Sequence, residues 1–167
     1  DSTDDTQPVI SGTAADGATV YVLIDGVRSE DIPVVDGRWT YTPQEALGEG
    51  EHTISAIAVI NGETSAESTE ITIIVDTVAP DSAIIVSVTD DVGAVTGPII
   101  NNGGTDDTQP TLRGTAADSA RVEIFNGTTS LGFATVNAQG NWTFTPTTPL
   151  ANGIYNFNVV AIDAAGN

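Results

Sequence analysis

The sequence predicts an all-β protein of two tandem domains, each an antiparallel β-sandwich or barrel. The hexapeptide "TDDTQP" at residues 3–8 returns at 105–110, and "GTAAD" at 12–16 returns at 114–118, both with an offset of 102 residues (105 − 3 and 114 − 12). A repeat of this length indicates two copies of one folding unit. The apolar residues are mainly valine and isoleucine, which favour strands. Short alternating runs separated by turn residues about every eight to twelve positions are typical of sandwiches and barrels.

The predicted strands of the first unit follow in chain order. "PVISGTA" (8–14) and "TVYVLID" (19–25) flank a turn and are rich in β-branched residues. "GRWTYTP" (37–43) alternates aromatic with polar residues and stops at a proline, which cannot donate to a sheet. "HTISAIAVI" (52–60) places its apolar residues on one face, and "TEITIIVD" (69–76) is the last run. None of these runs has a convincing helical period.

The second unit repeats this pattern with two differences at its ends. It has an additional front section, 77–104, with a predicted strand at 83–88, and it has no counterpart of the strand at 69–75. We therefore expect domains at 1–75 and 76–167. The first would be an N-terminally incomplete repeat, and the second would lack its last strand or have it outside this stretch. The repeated runs are 110–116, 121–127, 131–136, 141–146 and 155–163.

The composition is strongly acidic. With 23 acidic residues against 4 basic ones, the net charge is −19. Nucleic acids and anionic lipid surfaces need cationic partners, so neither is expected to bind. No run reaches the roughly 18 apolar residues of a membrane span, and membrane insertion is not expected. Cysteine is absent, which excludes disulfides and thiolate ligands. A bound cation is the simplest way to relieve so much like charge.

The acidic doublets are the candidate metal ligands. When the strands are traced up and down a sandwich, two aspartates of the first unit fall at the end that faces the second, near the linker aspartate. Other aspartates fall at the two ends of the second unit. Ca²⁺ fits such sites because it takes six to eight oxygen ligands in irregular geometry, whereas zinc and copper prefer histidine and cysteine. The predicted ligands are Asp4, Asp5, Asp76, Asp90, Asp91, Asp106, Asp107 and Asp163.

Aspartate also caps turns in loops, and this alternative stays open for each residue singly. Turn capping is favoured for Asp16 and Asp118. No EF-hand spacing occurs, so any calcium site would be assembled from separate loops.

Catalysis is not predicted. His52 is the only histidine and stands where the second unit has Tyr155, so a packing or corner role is favoured over that of a base. No nucleophile elbow of the G-x-S-x-G type is present. Trp39 and Trp142 occupy matching positions, which indicates core residues rather than sugar-stacking platforms.

Several motifs in fixed order carry a family resemblance: "VDTVAP", "TDDTQPTLRGTA", "GNWTFTP" and "LANGIYNFNVVAIDAAGN". The sequence resembles the tandem bacterial Ig-like repeats of giant surface adhesins exported by type I secretion. The resemblance implies an Ig-like sandwich, secretion to the cell surface, and calcium at domain junctions. One departure is "VINGE" at 59–63, where the second unit has "AIDAAGN" at 161–167.

The resulting hypothesis is a structural stalk segment of a secreted adhesin. Calcium would make the domain junctions rigid and so project a distal binding region in cell adhesion, virulence or biofilm formation. Its partners would be neighbouring Ig-like repeats in the same chain, with a host-cell or surface ligand bound through other regions. The alternative is an Ig-like module that itself binds a glycan or host receptor. An exposed aromatic cluster outside the repeated positions would favour that alternative, and the sequence shows none.

Overall fold

The computed structural model describes residues 1–117 and 120–167. These residues form two compact units, Asp1–Val78 and Ala79–Asn167. The boundary lies three residues beyond the predicted one, because residues 76–78 are tied to the first unit. The Asp76 N–H donates to the Thr3 carbonyl oxygen at 2.9 Å. The predicted turn residue Asp118 lies outside the described residues.

The all-β prediction is confirmed, since the described residues contain strands and turns and no helix. Within this part of the chain there is accordingly no helix of the length and apolarity that a bilayer crossing requires.

Unit 1 consists of two sheets. The larger has the order β1-β9-β7-β3-β4, with β5 also paired to β3 and β8 to β7, and the smaller pairs β2 with β6. The β1–β9 pair is parallel and the other pairs are antiparallel. The strands are β1 Ser2–Thr3, β2 Ile10–Thr13, β3 Thr19–Ile24, β4 Val27–Arg28, β5 Ile32–Pro33, β6 Arg38–Tyr41, β7 Gly50–Ile60, β8 Glu63–Thr64 and β9 Ile71–Val75.

The core of unit 1 lies between these sheets. Val20 and Val22 of β3 are fully buried, and they pack in one cluster with Ile54 of β7 and Trp39 of β6. Gly12 of β2 pairs with Trp39, and a Cβ added at Gly12 would come within 2.5 Å of the indole ring. The close approach of ring and strand therefore requires glycine here.

Unit 2 also consists of two sheets. One has the order β11-β10-β12-β15 and the other the order β14-β13-β16, and all of their pairs are antiparallel. The strands are β10 Ile84–Asp90, β11 Gly97–Pro98, β12 Thr111–Thr115, β13 Arg121–Asn126, β14 Thr129–Thr135, β15 Asn141–Phe144 and β16 Phe157–Ile162.

The core of unit 2 is built around Trp142, the counterpart of Trp39. Leu112, Val122 and Ile124 are completely buried against it. Strand β10 covers one side of this core, where Ile85 and other apolar residues of that section pack on the cluster. Unit 1 has no strand in the corresponding place among the described residues, since β2 pairs with β6 alone.

Candidate functional site

The repeated "TDDTQP" hexapeptide forms the same set of hydrogen bonds in both units. In unit 1, the Asp5 N–H donates to Thr3 Oγ1 (3.1 Å), and Asp5 Oδ1 accepts the Gln7 N–H (2.9 Å). The Gln7 side chain then donates to the carbonyl oxygen of Pro43 at 2.8 Å, beyond the end of β6. The hexapeptide thus fixes the start of β2 to the turn that follows β6.

Unit 2 repeats these contacts one by one. The Asp107 N–H donates to Thr105 Oγ1 (2.9 Å), and Asp107 Oδ1 accepts the Gln109 N–H (2.7 Å). Gln109 Nε2 donates to the carbonyl oxygen of Pro146 at 2.8 Å. One oxygen of the second aspartate in each doublet therefore caps a turn. Sequence reasoning missed the glutamine, although its recurrence inside the hexapeptide was a signal.

The carboxylate of Asp107 differs from that of Asp5 in its burial. Asp5 is exposed, whereas Asp107 is only 8% exposed, and its Oδ2 is buried with no hydrogen-bond partner among the described residues. Asp90, at the end of β10, is 6% exposed. Its Oδ2 accepts the Thr105 hydroxyl at 2.6 Å and its Oδ1 accepts the Val92 N–H at 3.0 Å. Thr105 therefore joins two buried aspartates of unit 2.

Asp106 and Asp91 flank this buried pair on the surface, and both are exposed. The Asp106 carboxylate lies against Gly93, where an added Cβ would overlap it. Gly93 also has a φ of 75°, a left-handed conformation that favours glycine. The turn after β10 thus brings its backbone close to the second acidic doublet. We call Asp90, Asp91, Asp106 and Asp107 the acidic end of unit 2.

Unit 1 has an acidic end of its own. The parallel pair places Thr3 beside Val75, so Asp4 and Asp76 follow neighbouring strands at the same end of the sheet. Asp76 Oδ1 accepts the Val78 N–H at 3.1 Å. Glu49 also lies here, because its carboxylate accepts the N–H of Thr77 at 3.0 Å. We call Asp4, Asp5, Glu49 and Asp76 the acidic end of unit 1; Glu49 was not among the predicted ligands.

Asp163 lies at the other end of unit 2 from Asp90, because Ile162 pairs with Arg121 at the start of β13. Its Oδ1 accepts three backbone N–H groups, from Ala165, Gly166 and Asn167, at 2.8 to 3.0 Å. Oδ2 accepts the side-chain amide of Asn167 at 3.1 Å. Partial burial acts to raise the pKa of Asp163, but these hydrogen bonds outweigh it and hold the pKa below its usual value.

The predicted ligands therefore fall into an acidic end in each unit, with Asp163 apart. Within residues 1–117 and 120–167, no three aspartate, glutamate or histidine side chains come together in a group able to hold a metal ion. Asp16 is exposed in the turn before β3. Calcium binding by the eight residues stays a prediction.

Comparison with known proteins shows which family has this repeated architecture. The family model of the bacterial Ig-like domain matches twice, over residues 1–77 and 82–167. The chain belongs to the bacterial Ig-like domain family. This confirms the tandem Ig-like prediction, with a repeat boundary near that of the two units.

The comparison with curated proteins gives no match. Among solved structures, the chain is similar to a chimeric titin Z1Z2-Z1Z2 tandem functionalized with a GRGDS exogenous peptide from fibronectin, at 11% identity and a TM-score of 0.36, covering 99% of this chain and 88% of that one. It is also similar to a mutant of Kfla1895 in complex with cyclobis-(1→6)-α-nigerosyl, at 9% identity and a TM-score of 0.35, covering 95% and 31%.

The two bacterial Ig-like domains differ at the corner around the start of β7 in unit 1 and of β16 in unit 2. In unit 2, the Tyr155 hydroxyl donates to the Ala151 carbonyl oxygen four residues upstream at 2.9 Å, as in the tyrosine corner of Ig sandwiches. In unit 1, His52 takes this place, with Nε2 2.8 Å from the Gly48 carbonyl oxygen and Nδ1 2.7 Å from Asp25 Oδ2.

Both ring nitrogens of His52 therefore face acceptors, and only the doubly protonated ring can donate to both. The Gly48 carbonyl and the Asp25 carboxylate raise the pKa of His52 above its usual value. The Thr53 N–H, with His52 itself, lowers the pKa of Asp25. His52 is thus engaged in a structural corner, the role its position predicts.

We expect unit 1 to lose stability as the pH rises above about 6.5, because the pKa of His52 is raised in the folded state. The folded-state pKa of His52 lies above its unfolded value near 6.5, so its stabilisation is complete below about pH 6.5 and is lost as pH rises through the folded pKa. The stabilisation from Asp25 is present above its unfolded pKa near 3.8 and is lost as the pH falls through its lowered folded value. Hydrogen exchange of β7 amides checks this, with unit 2 as internal reference.

Two variants provide the controls for this pH dependence. His52→Tyr introduces the residue that unit 2 has at this position and should remove the loss of stability that His52 causes above about pH 6.5. Asp25→Asn should reduce the slope, because it removes the charged partner while keeping the ring. An equal slope in the parent chain and in His52→Tyr would show that another group titrates.

Proposed function

We propose that this chain is a segment of the stalk of a secreted bacterial surface adhesin, in which Ca²⁺ bound at the acidic ends of the repeats makes the stalk rigid. One observation carries the proposal. The buried Asp107 carboxylate, with its unpartnered Oδ2, lies in a hexapeptide that makes the same hydrogen bonds in both repeats. Membership of the bacterial Ig-like domain family supports the structural, non-enzymatic part of this role.

The acidic end of unit 2 has the chemistry of a calcium site. A buried carboxylate without a partner is costly, and a cation would relieve that cost. Asp107 Oδ2 would contact the ion, and the nearby Asp90, Asp91 and Asp106 would add to the local negative potential. Calcium also accepts backbone carbonyls and water, so three converging carboxylates are not required. The bound ion would supply positive charge and cross-link separate loops.

The proposed role is mechanical. At a net charge of −19, neighbouring repeats repel one another unless counter-ions neutralise their acidic ends. Calcium at those ends would remove the repulsion and restrict the linker, so that a distal region could be held away from the cell. Export to the cell surface belongs to the proposal, since free calcium in the millimolar range would be available there to sites of about 10⁻⁴ to 10⁻³ M affinity.

Isothermal titration calorimetry with CaCl₂ tests calcium binding. The parent chain should bind saturably, and Asp107→Asn should weaken the binding in unit 2 because asparagine keeps the turn cap but loses the charge. Asp36→Asn is the matched control, because Asp36 is exposed. Its neighbour Gly37 accepts the Ala14 N–H just beyond β2, so Asp36 lies at the end of that strand remote from Asp5. Identical titrations for all three proteins, or no heat of binding, would contradict the site.

A further inference from the structure

The inference concerns the outer faces of the two sheets of unit 2, which differ in their chemistry. Antiparallel sheets commonly bury one face and present polar side chains on the other. The sheet that contains β12 and β15 follows this rule. The side chains of these two strands that alternate with buried residues, and so point away from the core, are all polar: Thr111, Arg113, Thr115, Asn141 and Thr143.

The outer face of the β14-β13-β16 sheet is instead rich in aromatic side chains. Arg121, Glu123 and Phe125 of β13 alternate with completely buried residues and therefore point outward. Phe133 of β14 is the cross-strand partner of Glu123, so it lies on the same face, where it is 49% exposed. The Arg121 guanidinium carbon Cζ lies 4.2 Å from the centre of the Phe133 ring, which is a cation–π contact. We call Arg121, Glu123, Phe125 and Phe133 the aromatic face of unit 2.

An arginine stacked on an exposed ring occurs in both repeats. In unit 1, Arg28 Cζ lies 4.1 Å from the centre of the Tyr21 ring, and the Arg28 side chain is 54% exposed. The stack belongs to the β3–β4 pair, which corresponds to β13–β14. Strand β9 pairs with β7, on the side of that sheet remote from β3 and β4. The strand that follows the long strand of a repeat therefore leaves this side of the sheet uncovered.

The charges of the aromatic face are complementary to those of a second copy. No charged residue occurs between Glu123 and Asp163, so Arg121 and Glu123 are the charged residues of strands β13, β14 and β16. Within residues 1–117 and 120–167, they form no ion pair with each other. If two copies of β13 face each other in antiparallel directions, Arg121 of each copy lies opposite Glu123 of the other. In a chain with a net charge of −19, a second copy can approach here without meeting a cluster of like charges.

We infer that the aromatic face of unit 2 is a contact surface for a second copy of this chain, packed sheet to sheet about a two-fold axis. The interface is isologous, so each copy contributes the same residues. Phe125 and Phe133 are removed from water, and Arg121 of each copy pairs with Glu123 of the other. Aromatic residues and arginine are enriched at such contacts. This inference depends neither on calcium nor on the stalk.

The size of the face indicates weak association. Three strands about 4.8 Å apart, each with about six residues at about 3.3 Å, span roughly 14 by 20 Å. Such a contact lies at the small end of specific interfaces, where complexes are transient. We therefore expect a monomer–dimer equilibrium of the complete chain rather than a permanent dimer.

Sedimentation equilibrium of the complete chain in chelator, up to millimolar concentration, tests the inference. The parent chain should dimerise reversibly. Arg121→Glu and Glu123→Arg should each weaken dimerisation at least about tenfold, because each variant places like charges opposite one another. An equimolar mixture of the two variants should recover the association of the parent chain. In that mixture, two positive side chains of one variant face two negative side chains of the other.

Two features of these variants control for general charge effects. Glu123→Arg reduces the net charge from −19 to −17 (−19 + 2), so a general loss of repulsion would strengthen dimerisation instead of weakening it. Arg113→Glu changes the net charge by the same amount as Arg121→Glu, but on the polar outer face of unit 2. It should dimerise like the parent chain.

Three outcomes would overturn the inference. The first is a parent chain that stays monomeric at millimolar concentration, which would leave the face to a partner of another kind. The second is dimerisation of Glu123→Arg as tight as that of the parent chain. The third is a mixture of the two variants that associates no better than either variant alone. None of these results bears on calcium binding, because every measurement is made in chelator.

Discussion

Replacing Gly114 by alanine is expected to destabilise unit 2 by about 3 kcal/mol or more, at the upper end of overpacking effects. A Cβ at this position would overlap both the Ile84 carbonyl oxygen and the Trp142 ring. The carbonyl belongs to a paired strand and cannot move without breaking the β10–β12 ladder. Chemical denaturation of the parent chain and the variant, followed by the fluorescence of Trp39 and Trp142 together, measures the loss.

Two glycines are matched controls for this substitution. Gly104→Ala should change stability by less than about 0.5 kcal/mol, because nothing lies within 4 Å of its added Cβ. Gly12→Ala in unit 1 should cost less than Gly114→Ala, since only the Trp39 side chain, and no neighbouring strand, opposes the new methyl group. Equal losses for Gly12→Ala and Gly114→Ala would mean that the indole contact alone decides the effect.

Saturating calcium is expected to stabilise unit 2 by about 2.7 kcal/mol at one hundred times the dissociation constant, and Asp107→Asn should abolish most of this gain. The physical reason is the unpartnered Oδ2 of Asp107, which a bound cation would neutralise. In the presence of chelator, Asp107→Asn should no longer lower the stability of unit 2. Asp107→Asn should then be as stable as the parent chain or up to about 1 kcal/mol more stable, because a buried charge has been removed.

The same substitution in the other repeat is the control. Asp5→Asn concerns an exposed residue with the same turn-capping contact, so it should change stability in chelator by less than about 0.5 kcal/mol. Thermal unfolding in CaCl₂ and in chelator measures both effects. A parent chain with the same unfolding free energy in both conditions would refute calcium binding at Asp107.

The sequence was sufficient for the long strands and the repeat, because β-branched alternation and turn residues are local signals. Two-residue strands such as Val27–Arg28 and Gly97–Pro98 were not predicted. They are too short to have a period and arise from pairing with strands distant in the chain. The corner role of His52 was accessible only because the second repeat places a tyrosine at the same point.

The candidate site was predictable in its position more than in its contacts. The strand trace placed the aspartate doublets at the ends of the sandwiches. The hydrogen bonds of Gln7 and Gln109 were missed because each glutamine side chain donates to a carbonyl oxygen about 36 residues away in the chain. The burial of Asp107 was equally inaccessible, since Asp5 has the same local sequence and is exposed. The local sequence specifies the turn cap, and tertiary packing decides which carboxylate is buried.

Small-angle X-ray scattering of the complete chain, with saturating CaCl₂ and with chelator, measures whether calcium makes the stalk rigid. A calcium-stiffened stalk predicts a larger maximum dimension and a narrower distance distribution in calcium than in chelator. The parent chain would be compared under both conditions at equal ionic strength, so that general charge screening is held constant. A maximum dimension of the parent chain that does not change between calcium and chelator would contradict the account.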